Sequence, residues 1–201
     1  MIENPFFHRG PIRDPTYFYD RKREVRRILE APSRGQSISL TGPRKIGKTS
    51  LLFHISQPEV LQQYGIDPAR HLFVCFNCDG LGSLKLEEFR TLILKEVAGQ
   101  AAQRGYQVAG PEHPISFGEF GGAPRGLFDR KVKLALLLDE FEVLGRNQIL
   151  GTELLSGLRA LTTKFDIAYL TVSQRQLAAF TAKGYSSFFN IFVLFEAGPF
   201  R

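Results

Sequence analysis

The sequence predicts an α/β domain of three layers, with a five-stranded, mostly parallel sheet held between two layers of helices. Two observations carry this expectation. Five short apolar runs, at 37–41, 72–77, 134–138, 167–172 and 191–195, alternate with stretches of helical periodicity. The runs are apolar almost throughout rather than at every second position, as strands covered on both faces require.

The individual elements follow. SISLT (37–41) opens the series, then LFVCFN (72–77), LALLL (134–138), IAYLTV (167–172) and IFVLF (191–195). In 85–104, Leu86, Phe89, Ile93 and Val97 recur at intervals of three and four, the spacing of one helix face. Leu154, Leu158, Leu161 and Phe165 do the same in 152–165. Two regions break the pattern. Residues 1–20 carry Pro5, Pro11 and Pro15 among Phe6, Phe7, Tyr17 and Phe18, which predicts an extended arm anchored by aromatic side chains; 21–201 is then a single core domain. Residues 105–126 are rich in Gly and Pro, including Gly121, Gly122 and Pro124, and predict a long surface connection with a broken helix at 117–120.

Composition narrows the classes. An apolar fraction of 43% in 201 residues is enough for one globular core. A net charge of +6 permits contact with nucleic acid or acidic lipid and requires neither. No run approaches the ~18 apolar residues of a membrane span, and Glu3, His8 and Arg9 interrupt the first ten residues. The expectation is a cytoplasmic protein without membrane contact. Cys75 and Cys78 have CxxC spacing, but a closed zinc site needs four ligands. Positions three apart on a strand face opposite ways, so the two thiols read as core side chains.

Residues 42–49 spell G-x-x-x-x-G-K-T, the phosphate-binding P-loop pattern. Gly42 and Gly47 allow a tight turn that brings backbone N–H groups close to phosphate oxygens. The helix that follows points its positive end at the same place. Lys48 adds a cation for the β- and γ-phosphates, and Thr49 supplies a hydroxyl to Mg²⁺. The expected nucleotide-binding set is Gly42, Pro43, Arg44, Lys45, Ile46, Gly47, Lys48, Thr49 and Ser50. A strand pattern precedes the motif and a helix pattern follows it, which is the context the motif needs.

The run LALLL ends in Asp139-Glu140. An acid at the tip of a neighbouring strand holds the magnesium shell, and a second orients or deprotonates the attacking water. Asp139 fits the first role and Glu140 the second, with Lys48 completing the catalytic set. Paired acids of this kind suit ATPases with an additional strand, such as the AAA+ proteins, better than small-molecule kinases or GTPases. At the tip of the next strand, Thr171, Ser173 and Arg175 are candidate sensors of the γ-phosphate, with Thr171 and Ser173 on one strand face.

Arg21, Lys22, Arg23, Arg26 and Arg27 read as the solvated face of a helix that also carries Glu24 and Glu30. Arg159 reads as a surface arginine, and His54 as a packing residue on the P-loop helix.

Taken together, these residues resemble the ATPase core of STAND proteins, signal-transduction ATPases with numerous domains, and especially their bacterial and archaeal members. The resemblance rests on NPFFHRGPIRDPTYFYDRKREV (4–25), SLTGPRKIGKTSLL (39–52), LALLLDEFEVL (134–144), YLTVSQRQL (169–177) and SSFFNIF (186–192). It implies the P-loop NTPase fold with sheet order 5-1-4-3-2. It also implies an entry helix over Phe18 to Glu24, with aromatic-x-x-Arg-x-x-Glu spacing, near the adenine, and a sensor role for Arg175. The family's core is normally followed by a helical lid, a winged-helix domain and sensor repeats. The resemblance therefore implies that this chain is a fragment or works with a partner that supplies them. The implied activity is binding of Mg-ATP and slow hydrolysis to ADP in a switch that engages protein partners or itself. A DNA-associated ATPase of the replication-initiator or transposition-helper class, or a non-catalytic nucleotide-binding module, would share the same motifs.

Overall fold

The computed structural model describes residues 10–146, 151–165, 167–180 and 187–198. Five strands form one sheet: β1 (Ser37–Thr41), β2 (His71–Asn77), β3 (Lys133–Asp139), β4 (Ala168–Ser173) and β5 (Phe192–Glu196). Their order is β2-β3-β4-β1-β5, and every pairing is parallel. Read from the β5 edge this is 5-1-4-3-2, the order that the resemblance implies.

Parallel neighbours require crossovers, and the helices supply them. On one face lie α1 (Lys22–Ser33), α2 (Lys48–Ile55) and α3 (Pro58–Gln63). The other face carries α4 (Leu86–Gln103), α5 (Phe117–Gly122), α6 (Arg125–Asp129) and α8 (Gly151–Phe165); α7 (Glu142–Arg146) follows the end of β3. Alternation along β3 shows why its sequence is apolar throughout. Leu134, Leu136 and Leu138 join the core under α4 and α8, while Ala135 and Leu137 join the core under α1 and α2. The helix periodicities hold as well. Leu86, Phe89, Ile93 and Val97 of α4 and Leu154, Leu158 and Leu161 of α8 are all buried.

Three expectations change. The connection at 105–126 holds the short helix expected at 117–120, as α5, and runs on into α6, which its Gly and Pro content does not suggest. The Ser116 Oγ accepts the Glu119 N–H at 3.3 Å and a Glu119 carboxylate oxygen accepts the Ser116 N–H at 2.8 Å, a capping box that starts α5. Burial of Ile115, Phe120 and Leu127 then holds α5 and α6 to the sheet. The arm is only partly extended, since Pro15–Tyr17 form a 3-10 turn capped by Asp14. Phe6 and Phe7 lie outside the described residues. Finally, Arg21 does not share the solvated face of α1. It precedes the helix in a left-handed conformation and is 4% exposed, while Lys22, Arg23, Arg26 and Arg27 are exposed.

The two cysteines point into different cores. Cys78 is buried with the α4 side and Cys75 is half-buried against the α2 side. Burial pushes the Cys75 thiol up to about 11 and the Cys78 thiol well above its ordinary value, which leaves both protonated and unreactive at neutral pH. Among the described residues no helix is long and apolar enough to cross a membrane.

Tyr169 fastens the centre of the sheet to α8. It is fully buried, and its hydroxyl donates to the Leu158 carbonyl at 2.8 Å. Tyr169→Phe is expected to cost about 1 kcal/mol, read as a fall of about 2–4 °C in the unfolding midpoint.

Candidate functional site

The site sits at the C-terminal ends of β1, β3 and β4, where open parallel sheets present their ligands. β1 ends at Thr41 and the chain turns at once through 42–47 into α2. Lys45 and Gly47 have φ of 61° and 88°, so the loop folds back on itself and α2 starts with its N-terminus over the strand ends. Gly42 is required by proximity. A Cβ there would meet the Ala197 Cβ at 3.2 Å and the Ala197 carbonyl at 3.3 Å.

Lys48 spans this loop. Its ammonium donates to the carbonyls of Gly42 at 2.7 Å and Pro43 at 2.8 Å. Thr49 faces the other way, and its hydroxyl donates to an Asp139 carboxylate oxygen at 2.7 Å. The second Asp139 oxygen accepts the Glu140 N–H at 3.0 Å. Glu140 itself has a φ of 49°, a left-handed conformation that turns the chain sharply at the strand tip. The two sequence motifs, ninety residues apart, therefore meet through one direct side-chain contact. Beside it lies a cavity of about 580 Å³ lined by Gly10, Pro11, Arg44, Lys45, Gly47, Lys48, Thr49, Ser50 and Glu140. That volume is in the range of small-molecule sites, ~300–1,000 Å³.

The P-loop is braced from outside. An Arg21 guanidinium nitrogen donates to the Ile46 carbonyl at 2.7 Å and to the Gly198 carbonyl at 3.1 Å. Arg21 thus joins the phosphate loop to the segment after β5. The arm lies along α2: Ile12 donates its N–H to the Ser50 hydroxyl at 2.9 Å, Phe18 stacks on His54 with ring centres 4.0 Å apart, and Arg13 covers the Phe53 ring. Gly10 and Pro11 in this way become a wall of the cavity.

The three sensor candidates occupy different places. Ser173 is buried at the end of β4 and donates its hydroxyl to the Arg175 carbonyl at 2.6 Å. Arg175 is exposed in the turn that follows. Thr171 is fully buried, level with Ser39 and Leu138, and strand alternation puts it on the Tyr169 side of the sheet, away from α2. Arg159 is exposed on α8.

The family model described as "Novel STAND NTPase 2" (nSTAND2) matches residues 32–197, a span that holds both motifs. The chain belongs to this family. No curated protein matches it. Among solved structures, the ORC2 protein of Aeropyrum pernix in its ADP form is similar with a TM-score of 0.70 and 14% identity, over 96% of this chain and 51% of that one. A Walker-type ATPase of Pyrococcus abyssi gives 0.57 and 18%, over 83% and 48%. The A. pernix ORC1 protein in complex with DNA gives 0.60 and 15%, over 92% and 46%. At these identities the likeness is one of fold, and this nSTAND2 chain spans about half the length of the chains it matches. The domain is an NTPase of the STAND type, with the P-loop inside the matched span.

The charges of the nSTAND2 site are in tension. Burial pushes the Asp139 carboxyl up, against the Thr49 hydroxyl and the Glu140 N–H that stabilise its ionised form. Burial, then the neighbouring Glu142 and Asp139 carboxylates, push Glu140 up. Burial lowers Lys48, partly offset by Glu140, Glu142 and Asp139. Among the described residues no group of three or more His, Cys, Asp or Glu could cage a metal. What the site offers is a hydroxyl and a carboxylate 2.7 Å apart, hard oxygen donors of the kind that hold Mg²⁺ together with waters and phosphate oxygens. Mg²⁺ fits this donor set.

A carboxyl whose pKa is raised on folding holds its proton more tightly in the folded chain, so its contribution to stability is lost as pH rises from the unfolded value toward the folded one. At neutral pH, Asp139 therefore costs the ligand-free protein stability. Asp139→Asn is expected to raise the unfolding midpoint at pH 7 by about 2–4 °C, the effect of about 1 kcal/mol in a chain of this size. The gain should shrink toward pH ~4, where the unfolded carboxyl also takes up its proton. Thermal melts of the two proteins across this range check it.

Proposed function

We propose that this chain binds Mg-ATP and hydrolyses it slowly to ADP and phosphate, with the nucleotide acting as a conformational switch. The observation that supports the reading most directly is the 2.7 Å contact between Thr49 and Asp139, which joins the phosphate loop to the acidic strand tip beside a ligand-sized cavity. In this reading the N–H groups of the loop and the first turn of α2 take the phosphates. Lys48 exchanges its bonds to Gly42 and Pro43 for phosphate oxygens. Thr49 and Asp139 would hold Mg²⁺, which neutralises charge on the β- and γ-phosphates. Glu140 accepts a proton from water as the water oxygen bonds to the γ-phosphorus, and the bond to the β-phosphate oxygen breaks. Slow turnover is part of the proposal, because Arg175 is the one sensor arginine that the resemblance implies.

Lys48→Ala should abolish saturable Mg-ATP binding in a calorimetric titration, while Glu140→Gln should bind ATP and lose at least ~100-fold in turnover. ATP binding that survives Lys48→Ala would sink the reading.

A second reading, association with DNA, has one observation in its favour. Lys22, Arg23, Arg26 and Arg27 line an exposed groove with Glu30, Gln63 and Tyr64. If those four cations meet phosphates, log affinity for duplex DNA should fall with log salt at a slope of about −3 to −4. Binding that ignores salt, or no binding at low salt, removes it.

A further inference from the structure

The acidic strand tip carries a third carboxylate that the proposed chemistry does not use. Glu142 begins α7 and is 2% exposed. One of its oxygens accepts the Gln174 N–H at 3.2 Å, and the other has no hydrogen-bond partner among the described residues. A buried carboxylate with an unused acceptor costs stability, and an apolar side chain of the same shape would fill the space at least as well. The group therefore has no evident reason to be there on packing grounds.

Its one bond is informative. Gln174 follows β4, and β4 lies between β1 and β3, so its C-terminal turn opens between the phosphate loop and the acidic tip. Two side chains shape that turn. Ser173 holds the Arg175 carbonyl from within, and Glu142 holds the Gln174 N–H from across the sheet. The Phe141 N–H, donated to the Val172 carbonyl at 2.9 Å, sets the same two segments against each other one step earlier. Arg175 lies exposed in the turn so fixed.

We propose that Glu142 is a positioning residue, whose carboxylate clamps the turn 174–176 to the acidic strand tip and so presents Arg175 at the crevice between β1 and β3. This rests on the ATP-binding reading above. Its consequence is selectivity. With the turn clamped, the site tells a nucleotide with a γ-phosphate from one without, because the terminal phosphate is the part that reaches the strand tips. With the turn released, Arg175 is no longer presented and the distinction fades.

The test uses the full chain and two variants. Glu142→Gln keeps an oxygen that can accept the Gln174 N–H; Glu142→Met keeps the bulk and loses the acceptor. Affinities for a non-hydrolysable ATP analogue and for ADP are measured by titration, beside unfolding midpoints. We expect Glu142→Met to weaken the ATP analogue about tenfold, with ADP within about twofold of wild type and an unfolding midpoint no lower. Glu142→Gln should recover most of the loss. A merely structural residue would lower the midpoint and weaken both ligands alike. An unchanged ratio of the two affinities in Glu142→Met, or equal loss of both, overturns the proposal. Should the wild type bind neither nucleotide, the ATP reading falls, and amide exchange at Gln174 and Arg175 judges the clamp alone. Faster exchange in Glu142→Met than in wild type supports it; equal exchange removes it. If Glu142→Met does not fold, the wild-type Gln174 amide decides, protected from exchange if clamped and exchanging like a free amide if not.

Discussion

The hydrogen bond from Thr49 to Asp139 ties the first turn of the P-loop helix to the tip of a strand two places away in the sheet, and most of the architecture is what that contact requires. β4 must lie between β1 and β3, α2 must cross the face above them, and β3 must end where α2 begins. The core under α1 and α2 sets this geometry, with Leu51, Leu52 and Ile55 of α2 packed on the same face as Ala135, Leu137 and Leu170 of the strands. An apolar layer thus fixes the position of two polar groups that nothing local would bring together. Arg21 completes the frame from the opposite side by holding the Ile46 carbonyl and, with it, the curvature of the loop.

The site is bought with stability. Glu140 and Lys45 adopt left-handed backbone conformations that ordinary side chains avoid, and three carboxylates, Asp139, Glu140 and Glu142, crowd one strand tip opposite one lysine. In a domain selected for packing alone these features would be removed at little cost. Three carboxylates crowded at the C-terminal strand ends are what a site for a polyanion with a divalent cation calls for.

Glu142 was not visible in the sequence as a site residue, and Arg21 only as part of the Phe18–Glu24 segment that the resemblance places near the adenine. Arg21 stands first in a basic run, and a run of charges on a helical pattern reads as a solvated face. Its burial follows from the left-handed turn at Asp20 and Arg21, which lifts Arg21 off the α1 face and under the P-loop. Glu142 follows two acids already assigned to chemistry, so its spacing carries no separate signal. Its partner is a backbone N–H thirty-two residues away, which no side-chain pattern records. The Gly- and Pro-rich stretch at 105–126 shows its first short helix in the sequence and hides the second, α6, for a related reason. Composition reports turn potential, whereas a single Ser116–Glu119 capping box and three buried side chains decide that short helices form there.

The sequence by itself determined the parallel α/β class, the P-loop and the acidic pair. These are local patterns: apolar runs of strand length, helical spacing, and a motif whose every position has its own steric or electrostatic reason. Only the tertiary structure decided which polar groups meet. The Thr49–Asp139 contact, the Arg21 brace and the hold of Glu142 on the turn after β4 depend on strand order and crossover geometry. Those are set by the summed burial of two cores rather than by any one segment, and the hydrogen bonds that follow join residues tens of positions apart.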